Sequence, residues 1–545
     1  MSGTTPPPRD LGPPNQPPWV LDYGPGAPQP PYDGRPTARH GLKVLVLTVV
    51  LTVMVGGGAF AFYQVDPFHL FRAGPQASEA FPASAVFYAG VDLNPTASQK
   101  VDALRFLNHF PAFRAKAGLT DANADVRDAV VGRTVDGLDC PGVDYAHDVE
   151  PWLGERFGVA VMPPASQDTA PVAFAVQVND DAAARKGIEA LNGCDDAVPS
   201  PVSGGSMVGV SFVNGFMLLA ETQSQADAYA TSAGQHSLAD DADFKADMDS
   251  LGDLGVATMW VDVAGAVDAY ADKLPQTGQI DALTSSFGRV AATFRFASDH
   301  VEVASSVFGD TLPVDHAGNP VVNLPDSTVF ALSESGGDQR IAQAWKKGID
   351  RARSQDPSID SEISDFEART GLSLPIDLET LFGHNIMLAL DKQGLTADAL
   401  SAADLSLLNV GVRFTNDPAK LDALYAKVTD LIRSESGSDV MLSKKDFFDG
   451  IAIATNHAYA VKLTGIDGDL GDSDAFRSVV DDGAGKEFVL FFNFDAVKDQ
   501  MLKAMSDDGE SQEAIDNLRP LKAFGITAEV DGHYEHLTVS LSVDD

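Results

Sequence analysis

Cysteine, histidine and clustered carboxylates are the side chains of this sequence that could do chemistry, and each set is sparse or poorly spaced for it. Cys140 lies in Leu138-Asp139-Cys140-Pro141-Gly142 and Cys194 in Asn192-Gly193-Cys194-Asp195-Asp196, both turn-like stretches. Two cysteines cannot fill a four-ligand zinc site. Asp139, Asp195 and Asp196 would raise a thiol pKa where a nucleophile needs it lowered. The expected outcome is therefore a Cys140–Cys194 disulfide in an oxidising compartment, stabilising the fold by about 4 kcal/mol in the chain-entropy account. In His533-Tyr534-Glu535-His536, a strand would turn His533 and Glu535 to one face and His536 to the other, so no metal site is expected. Asp467, Asp469, Asp472 and Asp474 look superficially like a calcium loop. The EF-hand spacing fails, because Asp472 stands where glycine is needed and Ser478 where the last glutamate belongs. A polar loop capping the helix that carries Phe476 is the reading.

No G-x-S-x-G elbow, S-x-x-K, H-E-x-x-H, P-loop or G-x-G-x-x-G fingerprint occurs. No catalytic, cofactor-binding or metal residue is assigned. Asp92, Asp262 and Asn493 each end an apolar run and precede a helical one, which reads as capping. The balance of 38 Lys+Arg against 78 Asp+Glu, a formal net charge of -40, leaves no room for a large basic face and excludes nucleic acid as a partner.

The elements that must position these residues begin after two quite different segments. The first 36 residues hold 12 of the 32 prolines and almost no apolar periodicity, so residues 1–41 read as a disordered cytoplasmic tail. Pro14 to Pro17 and Pro28 to Pro31 fit a loose PxxP spacing that any proline-rich spacer produces. Val44 to Tyr63 is an uncharged run of 20 residues, and at about 1.5 Å per residue it spans a hydrocarbon core of about 30 Å. Residues 42–64 are thus expected to be a transmembrane helix. Arg35, Arg39 and Lys43 precede it and Asp66 follows, which orients the tail inward and everything beyond the 65–75 linker outward, single-pass in the plasma membrane. Only Asp10, Asp22 and Asp33 of the acidic residues lie before that point, so the acidity is extracytoplasmic.

Self-similarity organises the remainder. Phe81-Pro82-Ala83-Ser84-Ala85-Val86-Phe87 recurs as Leu324-Pro325-Asp326-Ser327-Thr328-Val329-Phe330, and Leu153 to Val159 recurs loosely as Phe382 to Leu388. Three further blocks follow in the same order, ending with Trp260-Val261-Asp262-Val263 against Phe491-Phe492-Asn493-Phe494. Collinear blocks at a nearly constant offset indicate a duplication, with lobe 1 at 76–315 and lobe 2 at 316–545. Val410, Val412 and Phe414 alternate as a strand. Asp417-Pro418 then caps a helix whose expected inner face carries Leu421, Leu424, Tyr425, Val428, Leu431 and Ile432. After Asn94-Pro95 a helix should turn Val101, Leu104 and Leu107 inward, and each lobe should end on a hairpin, turning at Ser298-Asp299 and at Asp531-Gly532. The predicted class is α+β: two homologous lobes of largely antiparallel sheet with helices packed on one side.

Asp66 to Ala77, Gly90-Val91-Asp92-Leu93-Asn94-Pro95, Gln99-Lys100, Ala103 to Pro111 and Pro151-Trp152-Leu153-Gly154 resemble the family called domain of unknown function 3352, over essentially residues 42–545. The proline-rich tail and single helix are similar to its actinobacterial members. The resemblance implies a single-pass envelope protein and transfers no catalytic residue. The expected function is a non-enzymatic, membrane-anchored module that binds an envelope partner. A carrier of lipid or another apolar ligand is the alternative, and an envelope hydrolase ranks third.

Overall fold

The computed structural model describes residues 76–93, 97–116, 127, 143–164, 171–192, 209–270, 287–356, 358–395, 407–436, 442–465 and 467–544. Cys140, Cys194 and the 42–64 segment lie outside them. Among the described residues no helix is long and apolar enough to cross a membrane.

In the first half, β1 (Phe87–Asp92) is followed by α1 (Ala97–Asn108) and α2 (Pro111–Lys116). Next come β2 (Leu153–Val161), β3 (Val172–Val178), α3 (Asp181–Asn192) and the hairpin of β4 (Gly209–Val213) and β5 (Phe216–Ala220). α4 (Gln223–Gln235), α5 (Ala242–Asp249), β6 (Ala257–Asp262), α6 (Val263–Ala269), β7 (Arg289–Phe296) and β8 (His300–Phe308) complete it. The second half opens with β9 (Thr328–Ser335), α7 (Gly337–Gln355), α8 (Ile359–Thr370) and α9 (Ile376–Phe382). β10 (Asn385–Asp391), β11 (Asn409–Thr415) and α10 (Pro418–Ser436) lead to the hairpin of β12 (Ser443–Phe447) and β13 (Gly450–Ala454). α11 (His457–Thr464), the short α12 (Asp474–Arg477), β14 (Phe488–Asn493), α13 (Lys498–Asp507), α14 (Gln512–Leu518), β15 (Leu521–Asp531) and β16 (Tyr534–Val543) end the fold.

All sixteen strands form one sheet, in the order β12-β13-β11-β10-β9-β14-β15-β16-β8-β7-β6-β1-β2-β3-β5-β4, and every described pairing is antiparallel. Read outward from the centre, the first half runs 8-7-6-1-2-3-5-4 and the second 16-15-14-9-10-11-13-12, the same order with eight added to each number. The final hairpins of the halves therefore meet: β8 pairs with β16 from Tyr534 opposite Phe308 to Ser542 opposite His300. A carboxylate fastens the same junction. Buried Asp247 accepts from Trp260 Nε1 at 2.8 Å, Arg289 Nε at 2.7 Å and, across the halves, Tyr534 Oη at 2.9 Å.

The details repeat as well. A 3-10 turn precedes β1 (Ala77–Ala80) and another precedes β9 (Pro320–Asn323). Leu238 N donates to Phe81 O and Leu470 N to Leu324 O, each at 2.8 Å. Phe244 meets Trp260 edge-on at 5.5 Å, as Phe476 meets Phe491 at 5.1 Å. Helices pack on both faces of the sheet in the first half, where one cluster joins Phe106, Trp152 and Ile188 to Val159 and the other joins Phe244 and Leu238 to Ala160 and Leu218. This corrects the one-sided packing expected from hairpin connectivity. β1 to β3 and β5 carry apolar residues at successive positions, which only a sheet covered twice can bury.

Other expectations shift in register. α1 turns Ala103, Phe106 and Leu107 inward and leaves Val101 exposed, and Gln99 docks the helix by two hydrogen bonds, its Nε2 donating to Phe296 O at 2.7 Å and its Oε1 accepting from Phe296 N at 2.9 Å. α10 buries Leu421 and Leu424, whereas Val428 and Ile432 are exposed. Asp417 caps it, accepting from Ala419 N at 2.8 Å.

Candidate functional site

Strict alternation in the second half sorts its strands into two unequal faces. Ala331, Met387, Ala389, Val489, Phe491 and Ala523 point to one side and are buried under α11, α12 and the 3-10 turns. The opposite side carries Phe330 and Leu332 from β9, Ile386, Leu388 and Leu390 from β10, Leu490 and Phe492 from β14, and Phe524 and Ile526 from β15, and all of these are only half-buried. Cross-strand register aligns them into rows. One runs Val412, Leu388, Leu332, Leu490, Ile526, Val539, Val303, and a second runs Leu390, Phe330, Phe492, Phe524, Leu541, Val301. Val303 at the junction is 41% exposed and Leu537 beside it 39%.

Helices roof this face without filling it. Arg340 of α7 reaches the sheet, its Nη2 2.5 Å from Glu487 Oε2 and its Nε 3.3 Å from Glu334 Oε1; Glu334 shares the face with Ile386 and Phe488. On the same side of α7, Ile341, Trp345, Ile349 and Ala352 recur at helical spacing and are likewise half-buried. Asp377 of α9 and Lys427 of α10 pair at 2.7 Å, and Asn416 Nδ2 donates to the carbonyls of Glu379 and Thr380, so α9 and α10 brace each other at the end of the sheet. The duplicated positions make the contrast plain. Ala89, the counterpart of Leu332, is 3% exposed and lies within the cluster built by α1, α2 and α3. At this position the first half presses helices onto a small residue, and the second carries a larger one that is only half-buried.

A cavity of about 530 Å³ opens at one end of this face, bounded by α7, α9, the start of α10 and the β12–β13 tip. His384 and Asn416 line it, two residues before Ile386 and two after Phe414 respectively, so the cavity continues the apolar rows along β10 and β11. His384 Nδ1 lies 2.9 Å from Asp338 Oδ2, and Glu379, Asp417, Asp449 and Lys420 add further charge. Its rim is apolar: Phe448 is 99% exposed and Ile376 59%. Phe448-Asp449 forms the two-residue tip of this hairpin where the first half has Asn214-Gly215, both in the left-handed region that such a tight turn favours.

The wall hydroxyl, Thr380 Oγ1, donates to Ile376 O at 2.8 Å and is not poised as a nucleophile. Among the described residues no group of three or more His, Cys, Asp or Glu is arranged to hold a metal ion. Asp262 caps α6, accepting from Gly265 N at 2.8 Å, and Asn493 accepts from Ala496 N at 3.1 Å. Asp92 takes Arg156 Nε at 2.8 Å in a mostly buried ion pair, and residues 94–96, where its expected capping partners fall, lie outside the described residues. Ser473, not an aspartate of its loop, caps the helix carrying Phe476. His536 Nδ1 meets Ser306 Oγ at 2.9 Å while His533 and Glu535 are exposed. Burial pushes the Tyr88 hydroxyl up to about 12 and drives the Arg413 guanidinium below its ordinary value. Of these groups only Arg413 comes near the cavity, its Nη2 3.6 Å from Asp449 Oδ1. Single-residue motifs could not reveal the half-open face, although the alternation that builds it is plain in Val410 to Phe414.

The chain belongs to the family described as Protein of unknown function (DUF3352), whose model matches residues 44–390, ending at β10 rather than extending to the C-terminus as the resemblance implied. No curated protein and no solved structure matches the chain.

Proposed function

We propose that this protein is a membrane-anchored, extracytoplasmic binding module, produced by internal duplication, whose second lobe takes up a hydrocarbon-tailed ligand between the sheet and its roof of helices. The observation that carries the reading is the set of large, half-buried apolar side chains on one face of the second lobe, where Ala89, the first lobe's counterpart of Leu332, is covered by helices. Leaving nine or more large apolar side chains half-hydrated forgoes about 25 cal/mol for every Å² that could be covered, and a ligand recovers that stabilisation. A folded protein partner would need a flat, accessible patch, and α7 reaches over this face through Arg340, so a thin, flexible occupant suits it better. The first row crosses seven strands, and its six intervals of about 4.8 Å extend roughly 29 Å, longer than the 15 Å or so of one bilayer leaflet's hydrocarbon. An acyl or isoprenoid chain lies within that length.

The anchoring helix at 42–64, the cytoplasmic tail at 1–41 and the disulfide belong to the same proposal, supported by the charge bias around Val44 to Tyr63 and by the loop context of Cys140 and Cys194. The two lobes are drawn as 76–315 and 316–545, supported by the repeated strand order. Solvent extraction and mass spectrometry of the purified full-length protein tests the ligand. A co-purifying hydrocarbon-tailed compound at near-stoichiometric amount is expected, displaced in a Leu332→Asp variant. Protein that yields no such compound, and that acquires none on incubation with lipid vesicles, refutes the reading.

A further inference from the structure

The cavity at the end of the apolar face gives the ligand a polar end, and its chemistry limits what that end can be. We infer that the bound molecule ends in an amine or hydroxyl group, held in the cavity among acceptors, and not in a phosphate or carboxylate; this rests on the hydrocarbon-binding reading above. The cavity lies beside the face, because its lining residues His384 and Asn416 stand two residues before Ile386 and two after Phe414. A tail lying along the rows of β10 and β11 therefore delivers its head between α9 and the β12–β13 tip.

Several charges there are already committed. Asp338 is paired with His384 at 2.9 Å, Asp449 lies 3.6 Å from Arg413 Nη2, and Asp417 accepts from the first turn of α10. An incoming anion would face these carboxylates together with Glu379, with Lys420 as the one lysine on the wall. An ammonium or hydroxyl donor meets the carboxylates of Glu379, Asp417 and Asp449. Phe448 and Ile376, exposed on the rim, cover the first carbons of the tail, which explains a bulky aromatic residue at a turn where the other lobe has Asn214-Gly215. At an effective dielectric constant near 20, reversing the sign of one head charge about 4 Å from a single carboxylate changes affinity by well over tenfold; partial hydration lowers this to on the order of tenfold.

The experiment uses the full-length protein in lipid nanodiscs and four probes with one tail: hexadecylamine, hexadecanol, hexadecanoate and hexadecyl phosphate, each competing with a fluorescent-tailed hydrocarbon. The amine and alcohol should displace the fluorophore at concentrations on the order of tenfold lower than the two anions. Glu379→Gln should narrow that gap, and Glu379→Lys should reverse it, while displacement by hexadecanol stays the same in both. Equal displacement by all four probes, or a preference for the anions, overturns the head-group assignment and leaves the hydrocarbon site standing. No binding of the fluorescent hydrocarbon itself, with native circular dichroism retained, overturns the hydrocarbon site.

Discussion

Asp92 and Arg156 sit opposite each other on β1 and β2, and the duplicated positions on β9 and β10 are Ser335 and Asn385, where Asn385 Nδ2 donates to Ser335 Oγ at 3.1 Å and Ser333 Oγ at 2.9 Å. One site is thus solved twice, with charge and without. Arg156→Ala should cost about 3–5 kcal/mol, since it leaves the Asp92 carboxylate without its guanidinium, whereas Asp92→Ser with Arg156→Asn should recover most of that loss. Denaturant midpoints of the three proteins check it, and a double variant no better than the single one counts against equivalence of the sites. Tyr88 offers a pH signature. Its folded-state pKa is raised from 10.0 to about 12, with burial outweighing the bonds to Thr258 and Ser78. A raised value means that the contribution is complete below pH 10 and is lost as pH climbs through 12. Tyr88→Phe should lower stability at pH 7 by about 1 kcal/mol and make the decline between pH 10 and 12 shallower, as urea titrations across that interval would reveal; an unaltered decline assigns it to other groups. None of this was legible in the sequence. Asp92 looked like a cap because it ends an apolar run before a helix, and only the register across β1 and β2 brings Arg156 to it.

At the level of elements, the sequence was legible wherever the pattern is local. Val410 to Phe414 alternates and is β11, Asp417-Pro418 starts α10, and Gly532, at φ +61, turns the last hairpin. What could not be read was which side of a helix or strand would be covered. Val428 and Ile432 have the spacing of an inward face, yet they stay exposed while Leu421 and Leu424 in the first turns of α10 are buried, and the apolar residues of β9 and β10 give no sign that one side of them stays half-buried. The unequal faces set up a paired test. Ala89→Leu, in the packed half, should cost about 1–3 kcal/mol by overpacking. Leu332→Phe, at the duplicated position, has space and should change stability by less than about 1.5 kcal/mol while lowering hydrocarbon occupancy. Melting curves and lipid yield from the same preparations decide it, and equal destabilisation at both sites means that the second face is as tightly packed as the first. Phe448→Ser belongs with this test. A side chain that is 99% exposed supports nothing in the fold, so stability should stay within about 0.5 kcal/mol while hydrocarbon affinity falls.

For the molecule as a whole, a repeat read from sequence suggests two lobes that unfold separately, and the continuous sheet argues otherwise. β8 and β16 would each become a bare edge if its neighbour left, with a row of unpaired backbone groups and with Val301, Val303, Val539 and Leu541 uncovered. Asp247 would lose the Tyr534 hydroxyl from a site that burial already makes expensive for a carboxylate. These terms make either half less stable alone than in the pair, so the halves should melt together. Tryptophan placement makes this measurable, because Trp152 and Trp260 report on the first half and Trp345 on the second. With Trp19, Trp152 and Trp260 replaced by Phe, fluorescence should follow the second half and give the midpoint seen by amide circular dichroism; with Trp19 and Trp345 replaced by Phe it should follow the first half at that same temperature. Val303→Pro removes a ladder donor in the middle of the β8–β16 seam and should separate the two midpoints by several degrees. Midpoints that already differ without the proline would mean that the seam transmits little, and the second lobe would then be free to open around its ligand without disturbing the first.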